Sequence, residues 1–242
     1  MRHEDTKERA WAMTLRAFVS SWLIALVAAG CGGAAPDRST PAPGGPLAPA
    51  ESRPPAIVAL GDGVTAGVGL LDAQTWPSQI QARLDEVGYD VEVLNAGVPG
   101  DTTATALQRI DDALQGDVRI LVVALGAEDA RRGVPATTMR WNLAQIIGRA
   151  QERGIAVLLA GAAAPPDFGA EYTADVSFAF QDLARQHGLV FVPALLEGVA
   201  GRRELMQADG VNPNAEGARI VSDRVWQALQ PMVDAMAIGD DD

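Results

Sequence analysis

The chain has 242 residues, of which 48% are hydrophobic, and it carries a formal net charge of −12 at pH 7. This length and this apolar content suffice for one domain with a sizeable core. The strong negative charge repels polyanions, so we expect neither nucleic acid nor an anionic membrane face as a direct partner.

The first thirty residues have the form of a secretory signal. Basic side chains at Arg2, Lys7, Arg9 and Arg16 precede the apolar run AFVSSWLIALVAAG, which is too short to span a bilayer and ends in small residues. Cys31, the only cysteine, follows directly and resembles the acceptor of a bacterial lipoprotein signal, whose thiol is acylated. The resemblance implies secretion across the inner membrane and a lipid anchor at the cell envelope, in the periplasm or at the outer membrane. An ordinary cleaved signal with an incidental cysteine is the alternative.

A low-complexity segment separates this signal from the folded part. Residues 31–55 are rich in proline, glycine and alanine and contain almost no large apolar side chain, so they cannot bury enough surface to order themselves. We interpret residues 31–55 as a tether that carries the lipidated Cys31, residues 56–235 as the domain, and residues 236–242 as an acidic tail.

From residue 56 onward, short apolar runs alternate with amphipathic helical segments. Five runs predict strands: 56–60, 90–96, 118–125, 155–161 and 189–193. Apolar residues at helical spacing predict the helices: Ile80, Leu84, Val87; Leu107, Ile110, Leu114; Met139, Leu143, Ile146; Val176, Phe180, Leu183; and Val221, Val225, Leu229. Because strand and helix take turns, we expect right-handed crossovers and a five-stranded parallel sheet with helices on both faces. The predicted fold is a three-layer α/β domain of flavodoxin-like, αβα architecture.

The residues that follow the strands carry the most information, because ligands of such sheets bind outside the carboxyl ends of the strands. Five stretches stand out: GDGVTAG (61–67), GVPGDT (97–102), GAED (126–129), PPDFGAEY (165–172) and DGVNPN (209–214). In order and spacing they resemble the signature blocks of the SGNH hydrolases, or GDSL esterases. PPDFGAEY is similar to a loop of their periplasmic arylesterase and lysophospholipase/thioesterase branch. A generic flavodoxin-like domain is the alternative.

The resemblance implies an acyl-transfer mechanism and assigns its groups to positions of this chain. In the family, a serine in the first block attacks the acyl carbonyl, a histidine in the last block accepts its proton, and an aspartate orients the histidine. The position of the serine holds Gly63, that of the histidine holds Asn212, and that of the oxyanion-binding asparagine holds Glu128. The oxyanion glycine, Gly100, and the orienting aspartate, Asp209, are kept.

Few residues offer a substitute for the missing groups. Thr65 carries a hydroxyl close to Gly63, but we interpret it as a helix-start cap. Of the two histidines, His3 lies in the signal, and His187 precedes the fifth strand, at the amino end of the sheet and away from the site. Trp76, at the start of the first amphipathic helix, is interpreted as a lid or edge contact and as a candidate for ligand contact.

Carboxylates offer another route to chemistry. Glu128 and Asp209 are predicted to face the pocket freely, where they can act as general acid and base, ligate a hard cation with Asn212, or form only a solvated acidic rim. Asp101 is interpreted as an N-cap. Two further acidic residues are expected to brace loop backbone: Asp62 and Asp129.

The replaced positions predict an envelope-anchored, SGNH-esterase-like protein without acyl-enzyme chemistry. Losing the nucleophile or the base alone costs about 10⁶ in turnover in a serine protease. We expect a pseudo-hydrolase that acts as a binding or structural module, with a small acyl or ester-like ligand near Gly63, a membrane partner through the lipid anchor, and no cofactor or metal. The alternative is a hydrolase of carboxylic or acyl esters with a non-standard, carboxylate- or metal-assisted site.

Overall fold

A parallel sheet organises the part of the chain that the computed structural model describes, residues 53–239, with side chains to residue 236. Its five strands are β1 (Ala56–Gly61), β2 (Glu92–Gly97), β3 (Val118–Ala124), β4 (Ala156–Ala160) and β5 (Val190–Val192). They pair in the order β2-β1-β3-β4-β5, and every pair is parallel. The predicted fold class is therefore confirmed, and the five predicted apolar runs are the strands.

Helices cover both faces of the sheet. They are α1 (Gly63–Ala66), α2 (Trp76–Val87), α3 (Thr103–Ala113), α4 (Ala127–Arg131), α5 (Ala136–Glu152), α6 (Ala170–His187) and α7 (Ala215–Gly239). None of these described helices is long and apolar enough to cross a membrane. Helix α7 passes the predicted domain end at 235 and includes part of the predicted acidic tail. The predictions for residues 1–52, including the lipidation of Cys31, lie outside the described residues.

The alternation of side chains along the strands separates two core layers. In β1, Val58 and Leu60 pack with residues of α3, α5 and α6, whereas Ile57 and Ala59 pack with residues of α2 and α7. Strands that are buried on both faces read as continuous apolar runs, which is why the sequence predicts them. The helical positions predicted from spacing are buried or half-buried, except for Val87 at the end of α2, which is 61% exposed.

Three glycines lie at the carboxyl ends of helices. Gly88, Gly154 and Gly188 lie at or next to the ends of α2, α5 and α6, with φ angles of 91°, 74° and 63°. Glycine adopts this left-handed conformation without the steric cost that a β-carbon brings. These turns direct the chain from each helix into the following strand.

The first turn of α7 is capped by Asn214. Its Oδ1 accepts hydrogen bonds from the backbone N–H groups of Glu216 (3.1 Å) and Gly217 (3.0 Å). Replacing Asn214 by alanine removes the acceptor, so we expect the free energy of unfolding to fall by about 1 kcal/mol, measured by urea denaturation. Asn214→Asp is the matched control, because aspartate keeps the acceptor while losing the Nδ2 bond to the Glu204 carbonyl (2.8 Å). Equal stability of the alanine and aspartate variants would contradict this role.

Two predicted caps are wrong. The acceptor at the start of α3 is the Thr102 hydroxyl, whereas the carboxylate of Asp101 accepts from Nε of Arg109 at 2.7 Å. Thr65 lies inside α1, and the residue that caps α1 is Asp62, through its carboxylate. The buried hydroxyl of Thr65 has no hydrogen-bond partner among the described residues. In both cases the true cap is a near neighbour of the predicted one, and only the backbone conformation decides between them.

Candidate functional site

The carboxyl ends of the strands bring together the stretches that the sequence singles out. Gly63 begins α1 directly after β1. A β-carbon placed on Gly63 would lie 3.1 Å from Oδ1 of Asn212. Its next neighbours would be Cγ2 of Val68, at 3.3 Å, and the α-carbon of Pro99, at 3.9 Å. The first, second and last stretches therefore meet at Gly63, and the side chain of Asn212 closes the space beside it.

Asp209 holds Asn212 in this position. The amide Nδ2 of Asn212 donates to Oδ2 of Asp209 (2.7 Å), and Oδ1 of Asp209 accepts from the backbone N–H groups of Val211 (2.9 Å) and Asn212 (3.0 Å). The hydrogen bond from the Asn212 side chain, assisted by the two backbone donors, lowers the pKa of Asp209 below its usual value. Asp209 is therefore engaged by its own loop and is not the free carboxylate predicted.

Two arginines hold Glu128, which is 8% exposed. Its Oε2 accepts from Nε (3.0 Å) and Nη2 (2.7 Å) of Arg131, and its Oε1 accepts from Nε of Arg132 (2.6 Å). Burial raises the pKa of Glu128, but the hydrogen bonds and charges of Arg131 and Arg132 outweigh burial, so the pKa lies below its usual value. Glu128 is an ion-paired group, and the prediction of a free acid–base, metal-binding or rim carboxylate is wrong.

Arg132 also links Glu128 to the second stretch. Its Nη2 donates to the carbonyl oxygen of Gly100 at 3.2 Å. Gly100 has a φ angle of 80° in the turn between β2 and α3, a conformation that favours glycine. The structure therefore brings the five predicted site positions to one edge of the sheet: Gly63, Gly100, Glu128, Asp209 and Asn212.

Two further carboxylates brace the loops, as the sequence predicts. Asp129, 1% exposed, accepts from the backbone N–H (2.7 Å) and the hydroxyl (2.6 Å) of Thr103, which ties α4 to the start of α3. Asp62, 6% exposed, accepts from the backbone N–H of Val64 (3.0 Å). These hydrogen bonds engage both carboxylate oxygens of Asp129. Asp62, in contrast, also lines a cavity.

This cavity, of about 350 Å³, opens at the same edge of the sheet. Its wall comes from Asp62 and its neighbours in α1, and from residues within the segments 124–127, 160–163 and 194–200. Most of these side chains are alanine, glycine or leucine, so they leave space that bulkier residues would fill. The cavity is not among the features predicted from the sequence, although the run of small residues AGAAA at 160–164, at the end of β4, is the signal that could have indicated it.

The other candidates lie away from the site. His187 ends α6, as predicted, where its Nδ1 lies 2.9 Å from Oε1 of Gln151. Trp76 is not a lid, because it is 1% exposed and packs in the core layer of α2 and α7. Within residues 53–239, no three histidine, cysteine, aspartate or glutamate side chains are grouped to hold a metal ion.

A parallel αβα sheet whose strand-end loops meet at Gly63 and Asn212 defines the class of the protein as an SGNH-hydrolase-type domain. The sequence model of the GDSL-like Lipase/Acylhydrolase family matches residues 59–220, and the chain belongs to that family. The predicted family is thus confirmed.

Similar proteins carry esterase names. Esterase TesA of Pseudomonas aeruginosa is 36% identical over 178 residues, which cover 73% of this chain and 89% of that protein. An arylesterase of Vibrio mimicus is 31% identical over 174 residues, which cover 72% of this chain and 87% of that protein. The crystal structure of TesA matches with a TM-score of 0.70 at 35% identity, over 73% of this chain and 98% of that one. The predicted likeness to arylesterases is therefore confirmed.

Proposed function

We propose that this chain is a catalytically inactive member of its family, a binding module that keeps an esterase frame. The row formed by Asp209, Asn212 and Gly63 carries the proposal. Asn212 donates to Asp209 at 2.7 Å, and its other amide atom lies 3.1 Å from the place of a β-carbon on Gly63. The row has the order of an aspartate–base–nucleophile arrangement. However, an amide is no base near neutral pH, and glycine offers no nucleophile.

The oxyanion side of the site supports the same proposal. Glu128, at the position that the resemblance gives to an asparagine, is an ionised acceptor held by Arg131 and Arg132. A carboxylate cannot donate a hydrogen bond to a developing oxyanion, and its charge opposes that of the transition state. Gly100 keeps a backbone donor, but the groups that would generate an oxyanion are replaced. We therefore expect no acyl-enzyme to form.

A ligand-binding role is supported by the cavity that Asp62 and Val64, the chain neighbours of Gly63, help to line. Its volume of about 350 Å³ lies within the range of small-molecule sites, and its wall is mostly apolar. The cavity remains available to a ligand even though the catalytic row is no longer able to act on it. The replaced residues therefore remove catalysis from the fold but leave a cavity that can bind a ligand.

The proposal places this module at the cell envelope, secreted across the inner membrane and held by acylated Cys31 through the tether 31–55. The basic start, the apolar run and the lone cysteine at its end support this location. Metabolic labelling with a radioactive fatty acid tests it. We expect the unaltered chain to take up label and Cys31→Ala to take up none, and an unlabelled parent would contradict the anchor.

The loss of catalysis is tested with a fluorophosphonate, a reagent that forms a covalent adduct with activated serines. Intact mass spectrometry of the purified protein should show an unchanged mass after incubation. A variant carrying Gly63→Ser, Glu128→Asn and Asn212→His serves as the positive control and should gain one adduct. One adduct per molecule on the unaltered protein would overturn the proposal.

A further inference from the structure

One charged group of the cavity has no counter-charge within the described residues. We infer that the cavity binds a small cationic amphiphile, a primary amine with a short apolar body, whose ammonium group pairs with the carboxylate of Asp62. The inference rests on the proposed function, because it assigns a ligand class to the cavity that the proposed binding module offers. The proposed ligand also differs in charge from the acyl or ester-like ligand that the family resemblance implies.

Asp62 is buried, and its partners within the described residues are backbone groups. Oδ1 accepts from the backbone N–H of Val64 at 3.0 Å, and the residue is 6% exposed while lining the cavity. Among residues 53–239, no arginine or histidine side chain forms an ion pair or hydrogen bond with it. A buried carboxylate without a counter-charge is costly, and a bound ammonium group is the simplest partner that the cavity can admit.

The two carboxylates whose charges act on Asp62 differ from it because each pairs with arginine. Asp101 pairs with Arg109 at 2.6 Å, and Glu128 pairs with Arg131 at 2.7 Å and with Arg132 at 2.6 Å. Burial, reinforced by the charges of Glu128 and Asp101, raises the pKa of Asp62 to about 6. At pH 7 the carboxylate of Asp62 is therefore mostly ionised, in surroundings where the nearby guanidinium groups are already engaged.

The other residues of the cavity wall indicate the size and polarity of the group that the ligand carries beside its ammonium group. Glu197, the other charged lining residue, is exposed and pairs with Arg224 at 2.8 Å. The remaining lining residues are glycine or carry apolar side chains. A short alkyl chain or a single ring suits a volume of about 350 Å³ with such a wall. A carboxylate or phosphate head would place a second negative charge beside Asp62, so the charge pattern disfavours anionic ligands.

Isothermal titration calorimetry of the purified full chain tests this inference with hexylamine, 1-hexanol and hexanoate at pH 7.5. We expect hexylamine to bind at least about tenfold more tightly than 1-hexanol, because of the charge-assisted hydrogen bond, and hexanoate to bind most weakly. Asp62→Asn keeps the shape and the capping acceptor, and it should bind hexylamine no better than 1-hexanol. Asp111→Asn is the matched control and should change the affinity less than about twofold, because Asp111 lies on α3 outside the cavity wall, is exposed and pairs with Arg149 and Arg153.

The pH dependence provides a second readout. Between pH 7.5 and pH 5 the affinity for hexylamine should fall about tenfold as Asp62 becomes protonated, while that for 1-hexanol stays constant. Hexanoate binding as tightly as hexylamine, an unchanged hexylamine affinity in Asp62→Asn, or no binding of hexylamine would each overturn the inference. These results are separable from a failure of the proposed function, which appears instead as a phosphonate adduct on the unaltered protein.

Discussion

Restoring three residues of the site is expected to create an esterase. A variant carrying Gly63→Ser, Glu128→Asn and Asn212→His should hydrolyse a short-chain 4-nitrophenyl ester at least about 10³-fold faster than the unaltered protein. Loss of the nucleophile or the base costs about 10⁶ in a serine protease, and the losses of groups that act together do not add. Recovery of only part of that factor already gives a rate well above background.

The frame around Gly63 can accept these changes. A β-carbon there would lie 3.1 Å from Oδ1 of Asn212 and 3.3 Å from Cγ2 of Val68, contacts that shifts of a few tenths of an ångström relieve. Asp209 already accepts a side-chain hydrogen bond from position 212 at 2.7 Å, which an imidazole N–H can supply instead. Gly100 is in place in the second stretch. A serine at position 63 therefore fits with small shifts, and a histidine at position 212 finds Asp209 as its partner.

The matched control for this experiment replaces Gly63 by alanine in the same Glu128→Asn, Asn212→His background. Alanine adds the β-carbon without the hydroxyl, so this variant should remain at the background rate. Equal activity of the serine and alanine variants would locate the turnover elsewhere. An inactive serine variant that melts as the parent does would contradict the retained esterase frame.

Removing the charge of Asp62 is expected to stabilise the protein at neutral pH. Burial raises the pKa of Asp62 to about 6 from its ordinary 3.8, so the folded state binds this proton more tightly than the unfolded chain. The resulting stabilisation is complete below about pH 4 and is lost as the pH rises through about 6. The ionised carboxylate at pH 7 therefore costs on the order of 2–3 kcal/mol, a cost that asparagine does not carry.

Thermal unfolding of the parent and of Asp62→Asn between pH 4 and pH 8 measures this cost. Asparagine keeps an acceptor for the backbone N–H of Val64, so the cap of α1 survives the change. We expect the variant to melt about 5–10 °C higher at pH 7.5, and the two melting temperatures to converge near pH 4. Glu197→Gln should show no such pH-dependent difference. A constant difference across the pH range, or a less stable variant at pH 7.5, would contradict the burial of an unpaired charge.

The sheet and the meeting of the site residues follow from local patterns in the sequence. A buried parallel strand such as β3 is an uninterrupted apolar run, and a helix such as α5 shows one apolar stripe through Met139, Leu143 and Ile146. Parallel strands end at a common edge of the sheet, so the stretches that follow β1, β2 and β3 are expected to converge there, and the resemblance to the SGNH hydrolases implies that Asn212 joins them. The order of strands and helices can be predicted because it depends on the periodicity of apolar residues and not on individual side-chain contacts.

Such patterns do not predict which residues the polar and aromatic side chains contact. The prediction of a free Glu128 fails because Arg131 and Arg132 reach back one helical turn to it, a geometry that exists only once α4 has formed. The prediction of Trp76 as a lid or edge contact fails because its side chain packs in a core layer with residues of α7, which is far along the chain. The cavity beside Asp62 depends on small residues from loops after three other strands. Each of these features is set by non-local packing.

The central claim is that this member of the esterase family performs no ester hydrolysis at the site of Gly63, Asp209 and Asn212. The most direct measurement is the rate of 4-nitrophenyl butyrate hydrolysis by the purified full chain, beside its Asp209→Ala variant. We predict that both proteins hydrolyse the ester no faster than buffer does. Turnover by the unaltered protein that Asp209→Ala abolishes would contradict the claim and would place an active mechanism in this pocket.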